Sequence, residues 1–134
     1  MYLQILLFFF PMLFRLMIKM RSQRSGDIIP HSDKIINAIN DPYPPVAVTA
    51  SAIAYEVFNS SRAESKLDEF CSDENFYISL MAINYLLYMT NKEPFIENIK
   101  AVRAVEGQNY SVAAACTDFL GSLGLIPNNP DYRR

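Results

Sequence analysis

Residues 76–89 read FYISLMAINYLLYM, and Ser79 and Asn84 are the only side chains in this stretch that are neither aliphatic nor aromatic. Written as a helix, the stretch is apolar on nearly every face, and such a helix is normally buried at the centre of a domain. It is also short for a membrane span, which needs about 20 residues. The stretch therefore predicts a central core helix over about residues 73–90.

The segments on either side also carry helical signals, in apolar residues that recur every three or four positions and in residues that favour helix ends. They predict further helices near residues 32–40, 45–58, 61–71, 94–106 and 111–123. A chain with four glycines and no polar-apolar alternation is unlike a β-sandwich or barrel. The sequence predicts an all-α domain over residues 31–124, a small irregular bundle of five to six helices, with a polar tail at 125–134.

Spacing within the helices predicts which side chains face the core and where helices begin. We expect helix N-terminal caps at Ser61, which opens a capping box, and at Ser72–Glu74. The side chains expected to face inward are Val46, Ala50, Ile53, Val57, Ala63, Leu67, Phe70, Cys71, Phe95, Ile99, Val102, Val105, Val112, Cys116, Phe119, Leu120 and Leu123.

The N-terminal segment, residues 1–20, begins with MYLQILLFFFPMLF, in which Gln4 is the only polar side chain. As a helix, residues 1–18 span about 27 Å, close to a hydrocarbon thickness of about 30 Å. Basic residues flank its C-terminal end and can reach the lipid headgroups; they are Arg15, Lys19, Arg21 and Arg24. We therefore predict a membrane-type helix that anchors the chain, joined to the helical domain by a polar linker at 21–30.

The charges around this segment also indicate its orientation. They follow the apolar run, and no small-residue cleavage site comes next, so the pattern differs from that of a secretory signal peptide. The positive-inside bias predicts that the helical domain faces the cytoplasm. Two other interpretations stay open: a buried hydrophobic arm of an oligomer, and a stretch translated only because an upstream start codon was chosen.

Acidic side chains outnumber basic ones in the chain that follows the N-terminal segment. Residues 27–134 contain all 14 acidic side chains and eight of the 12 basic ones, which gives a net charge of −6. Such a surface repels nucleic-acid phosphates, and the sequence has no basic stripe interleaved with aromatic residues. We therefore predict that the protein does not bind nucleic acid.

Residue types that carry catalysis or bind cofactors are sparse. His31 is the only histidine, and Cys71 and Cys116 lie 45 positions apart without a zinc-binding spacing. Glycine-rich phosphate loops are absent from the sequence. We predict no cofactor, no metal site and no enzymatic activity, and we expect both cysteines in the core; a disulfide and a reactive thiol are the alternatives.

Tyrosines on the central helix are the candidate partner-binding residues. Tyr77, Tyr85 and Tyr88 all lie on the predicted helix, and Tyr77, Leu80, Asn84 and Tyr88 fall roughly on one face. Such a face predicts a partly exposed aromatic groove for a helix of another protein. The alternative is that the rings pack in the core with their hydroxyl groups at its rim.

Two functions agree with these patterns. The first is a non-enzymatic accessory or adaptor protein, in which the membrane helix tethers a cytoplasmic helical domain that binds another protein. The second is an immunity or inhibitor protein that neutralises a basic toxin or enzyme through its acidic surface.

Overall fold

The computed structural model describes residues 31–126, and within this range the chain forms six α-helices, one short 3₁₀ helix and no β-strand. The all-α prediction is therefore confirmed. The helices are α1 Ser32–Ala38, α2 Pro44–Phe58, α3 Ser61–Cys71, α4 Phe76–Leu86, α5 Ile96–Arg103 and α6 Tyr110–Ser122, and the 3₁₀ helix Glu93–Phe95 leads into α5. Several predicted features lie outside the described residues; they are the segment 1–20 with Arg15, Lys19, Arg21 and Arg24, the linker 21–30, and residues 127–134 of the tail.

Helix α4 occupies the centre of the bundle, as its apolar sequence predicts. It packs against α2, α3 and α6. Its buried residues are Ile78, Ser79, Met81, Ala82, Ile83, Tyr85 and Leu86. The Ser79 hydroxyl donates to the Cys71 carbonyl oxygen at 2.6 Å, so this polar group is buried with its hydrogen bond made.

Three helix starts depend on side-chain caps, and two of these differ from the prediction. Ser60, not Ser61, caps α3 by accepting a hydrogen bond from the Ala63 N–H at 3.1 Å. Asn75 caps α4 from the Tyr77 N–H, so α4 begins three residues later than expected. Asn109 caps α6. Neighbouring polar residues compete for each cap, and local sequence alone does not rank them.

Helix α2 is buried on a different face from the predicted one. Val46 is 43% exposed, although Ala50 on the predicted stripe is buried. The helix packs against α1, α3 and α4, and its small side chains let these neighbours approach closely. Its fully buried positions include Val48, Ser51, Ala52 and Ala54. The stripe prediction is therefore wrong in part, because contact with three helices outweighs a single-face pattern.

The predicted core of the last two helices is largely confirmed. Residues Phe95, Ile99, Val102, Val112, Cys116, Phe119 and Leu120 are buried. Val105 is 54% exposed, because α5 ends at Arg103 and the chain turns away before Gly107. Leu123 is 38% exposed because it lies beyond the last residue of α6. Among the helices between residues 31 and 126, none has the length and apolar content needed to cross a membrane.

Candidate functional site

Tyr85 belongs to the core rather than to a binding surface. Its side chain is 1% exposed, and its hydroxyl lies 3.0 Å from the Thr49 hydroxyl on α2. Burial raises the pKa of Tyr85 to about 12, although the hydrogen bond from Thr49 acts in the opposite direction. This placement matches the alternative interpretation, in which a ring packs inside and its hydroxyl reaches the rim.

Tyr77 and Tyr88 remain partly accessible. Both are half-buried, as are Leu80 and Asn84 between them, and we refer to these four residues as the tyrosine face. Tyr77 lies in the first turn of α4, whereas Tyr88 lies just after its C-terminal end. The Tyr77 ring packs against the neighbouring Phe76 ring with their centroids 4.1 Å apart. The tyrosine face therefore keeps two of the three predicted tyrosines.

A cavity of about 330 Å³ opens beside Phe76, and we call it the Phe76 pocket. It lies where the C-terminal ends of α3 and α5 meet the first turns of α4 and α6. Its apolar lining comes from Phe76, Ala101, Val102, Val105 and Val112. Phe76 is 39% exposed, so an aromatic ring stands at the edge of the cavity.

Hydrogen bonds from two side-chain amides hold the walls of the Phe76 pocket. Asn98 donates to the Asp68 carbonyl oxygen at 2.7 Å and accepts from the Ser72 hydroxyl at 3.1 Å, which ties α5 to the end of α3. Gln108 donates to the Val102 carbonyl oxygen at 2.8 Å, which closes the turn after α5. One N–H of each amide is used within the protein, so both side chains help to hold the shape of the cavity.

The charged groups of the Phe76 pocket are all acidic. Asp73 and Glu74 line it, and none of the other described lining residues is charged. One Asp73 carboxylate oxygen accepts the Asn75 N–H at 2.8 Å and so fixes the loop before α4. On α3, Asp68 Oδ1 is buried and makes no hydrogen bond within the described residues. The pocket therefore combines an apolar wall with a negative potential.

Both cysteines are buried and free, and their predicted place in the core is confirmed. Burial raises the pKa of the Cys71 thiol well above its usual value, and the nearby Asp68 charge raises it further. Burial also raises the pKa of Cys116 to about 12, against a smaller opposing effect of Arg103. The thiolate is the nucleophilic form, so neither cysteine is activated for catalysis.

A second, polar depression of about 210 Å³ lies at the end of α2, beside Glu56 and Thr90. Glu56 is only 4% exposed, and its carboxylate accepts hydrogen bonds from the Thr90 N–H and hydroxyl. Acidic side chains are usually exposed, so Glu56 is an exception that its hydrogen bonds to Thr90 explain. The carboxylate that lines this depression is therefore already used to hold a loop of the protein.

The Phe76 pocket was not predicted from the sequence. Asp73 and Glu74 were interpreted as capping residues, and Val105 was expected in the core. Gly107 has a φ of +74° in the turn that follows, but α5 already ends at Arg103, which leaves Val105 exposed. In the described part of the chain, no group of three or more His, Cys, Asp or Glu side chains is arranged to hold a metal ion.

The candidate site thus consists of the tyrosine face and the adjoining Phe76 pocket, which meet at the packed rings of Phe76 and Tyr77. Comparison with known protein families, with curated proteins and with solved structures finds no match for this chain.

Proposed function

We propose that this chain is a non-enzymatic, membrane-tethered helical accessory or adaptor protein that binds another protein. The observation that carries the proposal is the tyrosine face of α4. Three neighbouring helices pack against α4, yet Tyr77 in its first turn and Tyr88 just after its end stay only half-buried. Tyrosine is enriched among the residues that anchor protein interfaces, because it offers a rigid ring with a polar end.

The tether is proposed from the sequence of the N-terminal segment. An apolar run of this length followed by Arg15, Lys19, Arg21 and Arg24 favours a helix that spans the bilayer with the domain on the cytoplasmic side. A cytoplasmic location agrees with two cysteines that are both free.

Binding rather than catalysis is favoured by the state of the two thiols. They are the strongest nucleophiles that the described residues offer, and burial keeps both of them protonated. A surface of half-buried aromatic side chains needs no activated group to hold a partner.

Affinity purification of the full-length chain from detergent-solubilised membranes tests this proposal. A partner recovered with the chain should dissociate faster from Tyr77→Ala and Tyr88→Ala, by about tenfold or more, because truncation of an aromatic anchor acts mainly on the dissociation rate. Tyr43→Ala is the matched control, since Tyr43 is 40% exposed at the start of α2 and is not part of the tyrosine face. Equal dissociation from all three variants would remove the tyrosine face from the interface.

One observation favours the immunity or inhibitor alternative. The described residues contain twelve acidic and six basic side chains, so the domain has a net charge of −6. A field of this sign would attract a basic toxin or enzyme. The salt dependence of association distinguishes the two functions.

A further inference from the structure

We propose that the Phe76 pocket receives the side chain of an arginine from the protein partner. The inference rests on the proposed function, since it names the chemistry with which the partner recognises the surface next to the tyrosine face. The juxtaposition of an apolar cavity, an exposed aromatic ring and two carboxylates carries it.

The size of the cavity limits what it can hold. Small-molecule and cofactor sites measure about 300 to 1,000 Å³, and the Phe76 pocket, at about 330 Å³, lies at the bottom of that range. It is too small for a dinucleotide and suits one long side chain. Phe76 lines the cavity and its ring packs against the Tyr77 ring, so a partner that contacts Tyr77 is one aromatic ring away from the cavity.

The apolar wall suits the methylene groups and the guanidinium of arginine. Val102 and Val112 form a buried wall, while Val105 and Phe76 remain 54% and 39% exposed. The three arginine methylene groups would cover Val105, and the planar guanidinium would stack on the Phe76 ring. The two side chains that the free domain leaves exposed would then be covered by one residue of the partner.

The charges of the pocket select a cation. Asp73 and Glu74 are consecutive in the loop before α4, and both line the cavity. An anion would be repelled by both carboxylates, and a neutral side chain would leave the negative potential uncompensated. Arginine stays protonated at every physiological pH, and its fork of N–H donors matches carboxylates. Lysine offers the same charge but neither the fork nor the planar stacking surface.

The walls are already held in place before a ligand arrives. Asn98 joins α5 to the end of α3, and Gln108 closes the turn that carries Val105. Binding therefore requires little ordering of the protein, which lowers the entropic cost of taking up one side chain.

A titration with arginine itself tests the pocket without any partner. The full-length chain, valine-methyl labelled in lipid nanodiscs, would be titrated with N-acetyl-arginine amide and followed by NMR. Of the six valines, Val102, Val105 and Val112 line the pocket, whereas Val46, Val48 and Val57 belong to α2 and serve as internal controls. We expect saturable shifts of the pocket methyls, with a dissociation constant on the order of millimolar. N-acetyl-citrulline amide, which is neutral and nearly isosteric, should leave them unshifted.

Charge-neutralising variants provide the matched control. Asp73→Asn with Glu74→Gln should weaken the binding of N-acetyl-arginine amide by about tenfold or more, since hydrogen bonds to charged groups are lost. Glu69→Gln with Glu97→Gln removes the same number of charges from exposed ion pairs elsewhere and should leave the affinity within about twofold. Equal shifts with citrulline, equal weakening by the two double variants, or no saturable shift would each overturn the inference.

The partner complex separates this inference from the proposed function. With the co-purified partner, Asp73→Asn/Glu74→Gln should speed dissociation, in addition to the effect of Tyr77→Ala. If the tyrosine variants weaken the complex and the carboxylate variant does not, the arginine inference fails and the adaptor function stands. If arginine amide binds the pocket but the tyrosine variants leave every co-purified complex unchanged, the tyrosine-face interface fails instead.

Discussion

The Glu56 carboxylate accepts two hydrogen bonds from Thr90, one from its backbone N–H at 3.2 Å and one from its hydroxyl. Beside this contact, the Tyr55 hydroxyl donates to the Asn91 carbonyl oxygen at 2.8 Å. Consecutive residues near the end of α2 thus hold consecutive residues of the loop between α4 and the 3₁₀ helix. Glu56 and Tyr55 are both buried, so these hydrogen bonds fix the position of the loop after α4 relative to α2.

Substitution Glu56→Gln should lower the free energy of unfolding by about 1 to 3 kcal/mol, because a hydrogen bond to a charged group is worth that much when buried. Urea denaturation of the two proteins measures the difference. Glu69→Gln is the control: Glu69 is exposed and forms a surface ion pair with Lys66, and the loss of this pair should cost less than about 1 kcal/mol. A Glu56→Gln variant as stable as the control would show that the carboxylate contributes nothing to holding the loop.

Patterns within one helix were predictable from the sequence because a helix brings residues three and four positions apart to one face. Ala63, Leu67 and Cys71 follow this spacing and are all fully buried. The central position of α4 was predictable for a similar reason, since its sequence has no polar face to give to solvent.

Features that depend on more than one helix were not predictable. Glu56 is buried only because the loop at Thr90 returns to α2 from a position 34 residues further along the chain. Tyr85 was predicted at the partner site, but it is buried in the core, where its hydroxyl is hydrogen-bonded to Thr49 on α2. The Phe76 pocket arises from the ends of four helices. No local pattern encodes such an arrangement, so only the two accessible tyrosines of the candidate site were anticipated.

Both thiols should react slowly in the folded protein. With a pKa of about 12 instead of 9.0, Cys116 has a thiolate fraction roughly a thousandfold smaller than that of an ordinary cysteine at pH 8. Labelling with Ellman's reagent at pH 8 should therefore be complete within minutes in 6 M guanidinium chloride and far slower without it. Rapid labelling of one thiol in the native protein would revive a reactive-cysteine function.

Stability should fall at alkaline pH. Tyr85 and Cys116 titrate near 10.0 and 9.0 in the unfolded chain but only near 12 when folded. Protons therefore leave the unfolded state first, so the stabilisation that these two groups contribute is constant below about pH 9 and is lost as the pH rises towards 12. Thermal melts between pH 7 and 11 measure this fall. In the Tyr85→Phe variant, the stability should fall less steeply with pH above pH 10. An equally steep fall in that variant would contradict the raised pKa of Tyr85.

The full-length chain should stay in the membrane fraction after alkaline carbonate extraction, as expected for a helix that spans the bilayer. A chain that starts at Ser25 should be soluble and should keep the α-helical circular dichroism spectrum expected from the six described helices. Recovery of the full-length chain in the soluble fraction would exclude the anchor. Aggregation of the shortened chain alone would favour the buried-arm interpretation of residues 1–20.

The salt dependence of association with the identified partner should be shallow. An adaptor that docks through Tyr77 and Tyr88, and places one arginine between Asp73 and Glu74, forms few charge contacts. Its association rate constant should change by less than about threefold between 20 and 200 mM salt, since electrostatic steering depends on many opposing charges. Stopped-flow or surface plasmon resonance measurements give this rate constant directly.

An immunity or inhibitor protein should behave differently, because it would use the whole net charge of −6 on the described residues against a basic target. Its association rate constant should rise by about tenfold or more at low salt, while Tyr77→Ala and Tyr88→Ala should leave its dissociation rate unchanged. We expect the shallow dependence. The two carboxylates of the Phe76 pocket are adjacent, whereas the other acids are divided among several elements, with Asp41 before α2, Glu97 on α5 and Asp118 on α6. Charges divided among elements in this way steer a basic target less strongly than a single acidic block would. A steep salt dependence without a tyrosine effect would therefore support the immunity function instead.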